Sequence, residues 1–330
     1  MTYIYTDFTG AYRTIASRGC PFSCNYCYMS YYHSVYKNSA FRRERSVENL
    51  INEIETGIKR NPAKAVLFED DLFPYTIEWL ETFSREYRSR INLPFWVYVH
   101  PQTVTVDAIR LLEEAGCARA TMGLDYLDHT INRTWSNRHI HAEQTAQAIA
   151  NFKKSKIALG GTYIIGLGNR PIEAYYDDIL FYGKQQLSAC SVFILRCYPS
   201  LVITQKMALA QDEEQLLPQA SSLRRNSSRK VNPQYYAIMN TFYLSLFVPY
   251  GIISLVIRKK LYRFFPPFQL SFFFSALVKL RNYVIFFITG RSMPLRFTHR
   301  SLYYARNILR ILRNKYLMQG SACKNVIKSS

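Results

Sequence analysis

From Tyr12 to about Arg196 the chain alternates short β-rich runs with amphipathic windows, a pattern that predicts successive βαβ units around a parallel sheet. Six strands are predicted, at residues 13–17, 65–68, 95–99, 118–122, 158–165 and 191–196. Between them Val47, Leu50, Ile51, Ile54 and Ile58 recur at helical spacing, as do Val106, Ile109, Leu112 and Ala115. Similar windows cover 75–90, 141–155 and 172–187. The expectation is an α/β fold, a partial (β/α)6 barrel of TIM type, over residues 1–210. Parallel sheets place ligand sites at the carboxyl ends of their strands. Here the first predicted strand runs into Gly19-Cys20-Pro21-Phe22-Ser23-Cys24-Asn25-Tyr26-Cys27 and the second into Glu69-Asp70-Asp71. The third runs into His100, the fourth into Gly123-Leu124-Asp125 and the fifth into Gly166-Leu167-Gly168.

Near residue 210 the pattern changes. Residues 211–230 turn to Gln, Glu, Ser, Asn and Arg, the composition of a solvated linker, and 231–330 read as a basic, aromatic, mainly helical extension. An uncharged stretch reaches Ile257 and is followed by Arg258-Lys259-Lys260, the Pro266-Pro267 break, an aromatic run from Phe268 to Phe274 and a basic amphipathic window at 301–317. The net charge of +19 belongs to this end: of 42 Lys and Arg, 19 lie beyond Gln215, where there is no acid, and the rest balance 23 Asp and Glu. Such an end predicts monotopic attachment to an anionic membrane surface. Asn240, Pro249 and Gly251 interrupt the uncharged run and make spanning a second choice. A helical cap packed on the barrel is the alternative. The charge would suit phosphates, but the long apolar runs are too greasy for a solvated groove, which disfavours nucleic acid as a partner.

Seven cysteines, three of them within eight positions, do not form a disulfide framework and point to a reducing cytoplasm. Met1 leads into polar and aromatic residues with no apolar h-region, so no signal or transit peptide is written, and there is no internal repeat. The expected location is cytoplasmic, peripheral on the inner face of the membrane. Three thiolates spaced CX3CX2C can ligate three irons of a cubane and leave the fourth open. A structural zinc site needs four ligands, and His33 lacks the usual paired spacing. Three ordinary buried thiols remain an alternative, one that leaves their clustering after a strand without a cause. Cys117, Cys190, Cys197 and Cys323 show no second CXXC spacing and read as core or incidental thiols, with no auxiliary cluster.

The segment from Thr14 to Cys27 resembles the cluster loop of the radical S-adenosylmethionine (SAM) superfamily. Leu67-Phe68-Glu69-Asp70-Asp71-Leu72-Phe73, Glu113-Glu114-Ala115-Gly116-Cys117, Met122-Gly123-Leu124-Asp125 and Ile164-Ile165-Gly166-Leu167-Gly168 resemble the class whose members usually also bind cobalamin. The similarity runs from about 12 to 210. It implies a 4Fe-4S cluster on Cys20, Cys24 and Cys27, with SAM chelated by the open iron. It also implies reductive cleavage to a 5′-deoxyadenosyl radical, using an electron from a donor such as flavodoxin or ferredoxin. By the same resemblance Tyr26 lies near the adenine, Glu69, Asp70 and Asp71 hold the cofactor's amino group, Asp125 stands near the ribose, and Gly161, Ile164 and Gly166 form the fifth-strand motif. His100 is a further cofactor-site candidate from its place after the third strand. Asp70 and Asp71 could instead cap a helix starting near Tyr75, and Gly116 reads as a helix C-cap.

The chain departs from the family where Gly168 replaces a usual proline and Ser200 a usual glycine. The relatives carry an amino-terminal cobalamin-binding domain, whereas few residues here precede Tyr12 and no Asp-X-His-X-X-Gly motif occurs. Cobalamin stays open as a cofactor but is not supported by this chain alone. The basic, apolar extension points to a lipid or hydrophobic natural-product substrate. Methyl transfer, rearrangement and oxidation all remain open, as do a non-catalytic cluster-binding or scaffolding protein and an RNA-modifying radical enzyme.

Overall fold

The computed structural model describes residues 10–36, 42–168, 170–185, 187–210 and 232–266, with Leu270 and Leu277. Its centre is a six-stranded parallel sheet in the order β1 (Ala11–Thr14), β4 (Ala65–Phe68), β5 (Phe95–Val99), β6 (Cys117–Gly123), β7 (Ala158–Ile165), β8 (Ala189–Ile194). A small antiparallel ribbon joins β2 (Ser17–Arg18) to β3 (Arg43–Glu44). The helices are α1 (Tyr28–Val35), α2 (Val47–Arg60), α3 (Ile77–Arg90), α4 (Val106–Ala115), α5 (Ala142–Lys153), α6 (Ile172–Lys184), α7 (Val202–Ala210), α8 (Pro233–Ser245) and α9 (Tyr250–Arg258). Strand order follows chain order with a helix in each crossover, the arrangement of a partial barrel whose edges are β1 and β8.

Alternation along the strands sends one set of side chains under the helices. Phe68, Phe95, Val97, Met122, Tyr163 and Val192 are buried there, against Leu50, Ile51 and Ile54 of α2 and Phe83 and Tyr87 of α3, among others. Phe68 is the hub of an aromatic cluster, with Phe73, Phe83 and Phe95 at centroid distances of 4.9, 5.8 and 5.6 Å. Each such side chain contributes roughly 1.5–3 kcal/mol by leaving water. Capping sets the helix ends: the Ser46 side chain accepts from Asn49 N, the Thr105 side chain accepts from Ala108 N, and Gly116 closes α4 at φ 96°. Thr76, not Asp70 or Asp71, stands at the N-cap of α3.

The first predicted strand stops three residues early. The Asp70 carboxylate takes the amide protons of Ala16 (3.0 Å) and Ser17 (2.5 Å), and Ser17-Arg18 then pairs with β3. At the other edge β8 begins at Ala189, two residues before the predicted start, because it keeps register with Gly160.

The uncharged run after residue 231 forms two helices broken at Pro249, which is the N-cap of α9. Among the described residues no helix is long and apolar enough to cross a membrane. α8 lies on α6 and β8, and buries Ile238, Met239, Phe242 and Leu246 in the same core as the sheet. Phe242 stands 4.9 Å from Tyr163, and Val192 N on the β8 edge donates to the Tyr243 hydroxyl at 3.3 Å. At the β1 edge Arg45 Nη1 donates to Ile15 O at 3.2 Å. The outer side of α9 and the turn after it exposes Ile252, Leu255, Leu261 and Phe264, the last 84% exposed, beside Arg258, Lys259 and Lys260. Residues 211–230, the window at 301–317, the aromatic run apart from Leu270, and Cys323 lie outside the described residues.

Candidate functional site

The cysteine loop leaves β2 through Gly19, whose φ of 83° favours glycine, and ends at Cys27, the N-cap of α1. Within the loop Cys27 N donates to Cys24 O at 2.9 Å, and His33 Nε2 bonds Cys20 O at 3.0 Å. A buttress holds it from outside. Asn25 N donates to Ser136 O and Asn25 Nδ2 to Trp135 O, both at 2.9 Å, while Asn25 O accepts from Ile203 N at 3.1 Å. Asn137 Nδ2 donates to Ser23 Oγ at 2.9 Å, and Lys206 on α7 ties down Thr134 O at 2.7 Å. The connection from β6 to α5, which makes a π-turn at Asn132–Ser136, thus grips the loop.

Burial pushes the Cys20 thiol up to about 11, with Cys24, Cys27 and Asp71 adding to the effect, and burial likewise raises Cys27. Burial thus disfavours the thiolate of Cys20 and of Cys27, and the positive charge of bound iron would offset that cost. Among the described residues no three His, Cys, Asp or Glu side chains are gathered as a set for one metal ion. Three thiols spaced CX3CX2C on one loop can each take one iron of a cubane and leave the fourth iron open. The donor set therefore fits the cluster.

Behind the loop lies a buried ion pair. Arg138 Nη2 donates to Asp125 Oδ2 at 3.0 Å, its Nε reaches Oδ1, and its Nη1 points to Cys24 Sγ at 3.7 Å. The two side chains are only 8% and 3% exposed. Burial opposes the charge of Arg138, but Tyr26, Asp125 and Cys24 outweigh it and hold the guanidinium well above its ordinary range. Burial also raises the Tyr26 phenol. His100 stacks on Phe22 at 3.8 Å, and burial together with Arg138 pulls its pKa down to about 2, so the ring is neutral. Its Nδ1 accepts from Gln102 N at 3.3 Å, and its buried Nε2 has no partner among the described residues.

The loop environment thus brings together Cys20, Cys24, Cys27, Tyr26, Asp71, Asp125 and His100, with Asp71 accepting from the Tyr28 hydroxyl. The other sequence candidates take framework positions. Glu69 pairs with Arg13 at 2.9 Å, and both Asp70 oxygens are engaged by Ala16 and Ser17. A Cβ on Gly161 would meet Leu124 Cδ1 at 2.6 Å. Ile164 O accepts from Tyr126 at 2.6 Å, and Gly166 N donates to the Tyr175 hydroxyl at 2.9 Å. Gly168 has φ 65° and sits so close to Trp135 that a Cβ would lie 2.7 Å from the indole. Proline, locked near −65°, is excluded there, which accounts for that departure.

Sequence reasoning missed Arg138 and the Trp135–Asn137 buttress. The one available signal was Asp125 itself: an acid following an apolar strand needs a cation, and the next two along the chain are Arg133 and Arg138. On the sheet face away from the core, Tyr98 and Phe193 are 39% and 54% exposed, and Trp96 lies under the Arg119 guanidinium at 5.3 Å. Thr121, Gly123, Gly160 and Thr162 share that face, with the Arg119 guanidinium over Gly160 and that of Arg138 over Gly123.

Residues 14–179, just over half of the 330-residue chain, match the family model described as the radical SAM superfamily. The chain is 23% identical over 186 residues to an uncharacterized methyltransferase of Pyrococcus horikoshii, a match covering 56% of this chain and 39% of that protein. It is 24% identical over 178 residues to the bacteriochlorophyllide d C-12(1)-methyltransferase of Chlorobaculum tepidum, covering 50% and 36%. It therefore spans less than 40% of the length of either relative. Among solved structures, the radical SAM methyltransferase TsrM from Kitasatospora setae, with tryptophan and a SAM analogue bound, aligns with a TM-score of 0.53 at 17% identity, over 63% of this chain and 40% of that one. That likeness shows the fold. With the three-thiol loop inside the matched residues and six parallel strands behind it, the chain belongs to the radical SAM superfamily.

Proposed function

We propose that the chain is the catalytic barrel of a radical SAM enzyme that acts on a hydrophobic substrate, a lipid or natural-product precursor. The observation that carries this reading is the loop of three thiols at the carboxyl end of a parallel sheet, gripped by Asn25, Asn137 and the π-turn. Cys20, Cys24 and Cys27 would hold the 4Fe-4S cluster, leaving an open iron for SAM. When bound, this pair supplies a 5′-deoxyadenosyl radical after one electron arrives from a donor such as a flavodoxin or ferredoxin. The protein's part is to position and shield. Asp71 and Tyr26 sit at the loop, the neutral ring of His100 stacks on Phe22, and Tyr98 and Phe193 offer an aromatic surface to an apolar substrate. Both curated relatives are named methyltransferases, which favours methyl transfer as the reaction class. TsrM was solved with cobalamin; a corrinoid serving this chain would have to be held without an Asp-X-His-X-X-Gly motif. Anaerobic reconstitution of the chain, with iron and sulfide counting and a search for 5′-deoxyadenosine after addition of dithionite and SAM, tests the reading. Four irons with no nucleoside released would refute it.

The same reading places the protein at the inner face of an anionic membrane. It is supported by the apolar patch of Ile252, Leu255, Leu261 and Phe264 bordered by Arg258, Lys259 and Lys260. Each cation near such a surface contributes about 1 kcal/mol. The full-length protein is expected to float with phosphatidylserine vesicles and not with phosphatidylcholine vesicles, and Leu255→Ser/Phe264→Ser to bind at least tenfold less (roughly 1.4 kcal/mol). Parent protein that stays in the soluble fraction with both vesicles removes the membrane from the proposal.

A further inference from the structure

We infer that Arg138 sets the reduction potential of the cluster, by donating a hydrogen bond from Nη1 to the ligating sulfur of Cys24 while Asp125 holds and neutralises its guanidinium. The inference rests on the cluster reading above. Arg138 acts here through Cys24 and is a positioning residue.

The geometry has three parts. Nη1 lies 3.7 Å from Cys24 Sγ, within hydrogen-bonding reach of the large sulfur atom, and Nη2 is fixed 3.0 Å from Asp125 Oδ2. The backbone on either side is pinned, with Arg138 N donating to Asn132 O at 2.9 Å and Asn137 held to Ser23. The guanidinium also packs against Gly123, where a Cβ would stand 3.5 Å from Nη2, an ordinary contact distance. The fork is therefore aimed by its surroundings and cannot swing to solvent.

Reducing the cluster adds negative charge to its sulfurs. An N–H donor on a ligating thiolate stabilises that state and raises the potential, as does a nearby cation. The carboxylate of Asp125 works the other way. Removing the donor should therefore lower the potential, and removing only the carboxylate charge should raise it. A pair that merely braced the loop would not produce shifts of opposite sign.

The test is a redox titration of the reconstituted full chain without SAM, followed by electron paramagnetic resonance of the reduced cluster. Asp125→Asn/Arg138→Met removes the donor without stranding a buried carboxylate, and Asp125→Asn alone keeps it; circular dichroism checks that both fold. At a fixed applied potential near the parent midpoint, the ratio of reduced to oxidised cluster should be at least tenfold lower in the double variant than in Asp125→Asn, a shift of about 59 mV for one electron, and lower than in the parent. It should rise in Asp125→Asn. If all three proteins carry four irons and the midpoints coincide, or both variants shift downward, the inference is overturned while the cluster reading stands. If the parent assembles no cluster, both fall.

Discussion

Replacing Cys20, Cys24 and Cys27 together by Ala is expected to leave a folded chain that binds no iron–sulfur cluster and releases no 5′-deoxyadenosine. The fold should survive because the loop is held by groups other than thiols: Asn25 to Trp135 and Ser136, Asn137 to Ser23, His33 to Cys20 O. Of the three, only Cys24 is buried, so little packing is lost. Cys117 and Cys190 are buried in the core and Cys197 lies partly buried, each in a different part of the fold from the cysteine loop. Iron and sulfide should therefore fall to background after anaerobic reconstitution, while the circular dichroism spectrum matches the parent. A triple variant that still binds four irons with the parent absorption spectrum would show the cluster to be held elsewhere.

Arg170→Met should be the most destabilising single substitution in the barrel core. Asp178 is fully buried, and its carboxylate accepts from Arg170 Nη2 at 2.8 Å, from Arg170 Nη1, from the Tyr163 hydroxyl and from Leu127 N at 3.1 Å. The guanidinium also lies 4.3 Å over Tyr126, in the connection after β6, and 4.7 Å over Tyr175 on α6, so it ties α6 to that connection. Methionine fills similar volume but leaves the carboxylate without its cation, which costs about 3–5 kcal/mol. For a chain of this size that lowers Tm by roughly 10 °C, at about 2–4 °C per kcal/mol. Arg170→Met/Asp178→Asn should recover a large part of the loss, because no charge is then stranded. Thermal unfolding of both variants decides the matter, and a single variant as stable as the parent would show that the pair contributes nothing net.

Most of the barrel was legible because its determinants are local. β4, β5 and β7 begin and end where turn residues bracket β-rich runs, and Gly116 announces the end of α4. The end of β1 was not legible, since what stops it is Asp70, more than fifty residues away in sequence. The resemblance gives the same acid to the cofactor's amino group, and the backbone amides of Ala16 and Ser17 that engage its carboxylate are not visible in the sequence. α8 misled for a related reason. A run with no charge on any side is needed equally by a helix dissolved in lipid and by one wedged between α6 and β8, and only the contact of Phe242 with Tyr163 tells them apart. In the site, CX3CX2C is a local signal. Arg138 is not, because its partners stand 13 and 114 positions away and no periodicity marks it.

The covering of the two sheet edges bears on how the protein behaves in a crowded solution. A closed barrel has no edge, but among the described residues the six strands leave two, and a bare edge presents unpaired amides and carbonyls on which another chain could add a strand and start aggregation. At β8 the Tyr243 hydroxyl takes the Val192 amide and α8 stands alongside; at β1 Arg45 occupies the Ile15 carbonyl, and the turn into the β2–β3 ribbon carries the chain out of the sheet. The gap in the barrel can thus stay open without inviting a neighbour. The chain after residue 232 is accordingly part of what keeps the molecule apart from its own copies, and a version cut short before α8 would expose a bare strand edge with the apolar faces of Tyr163 and Tyr182 behind it.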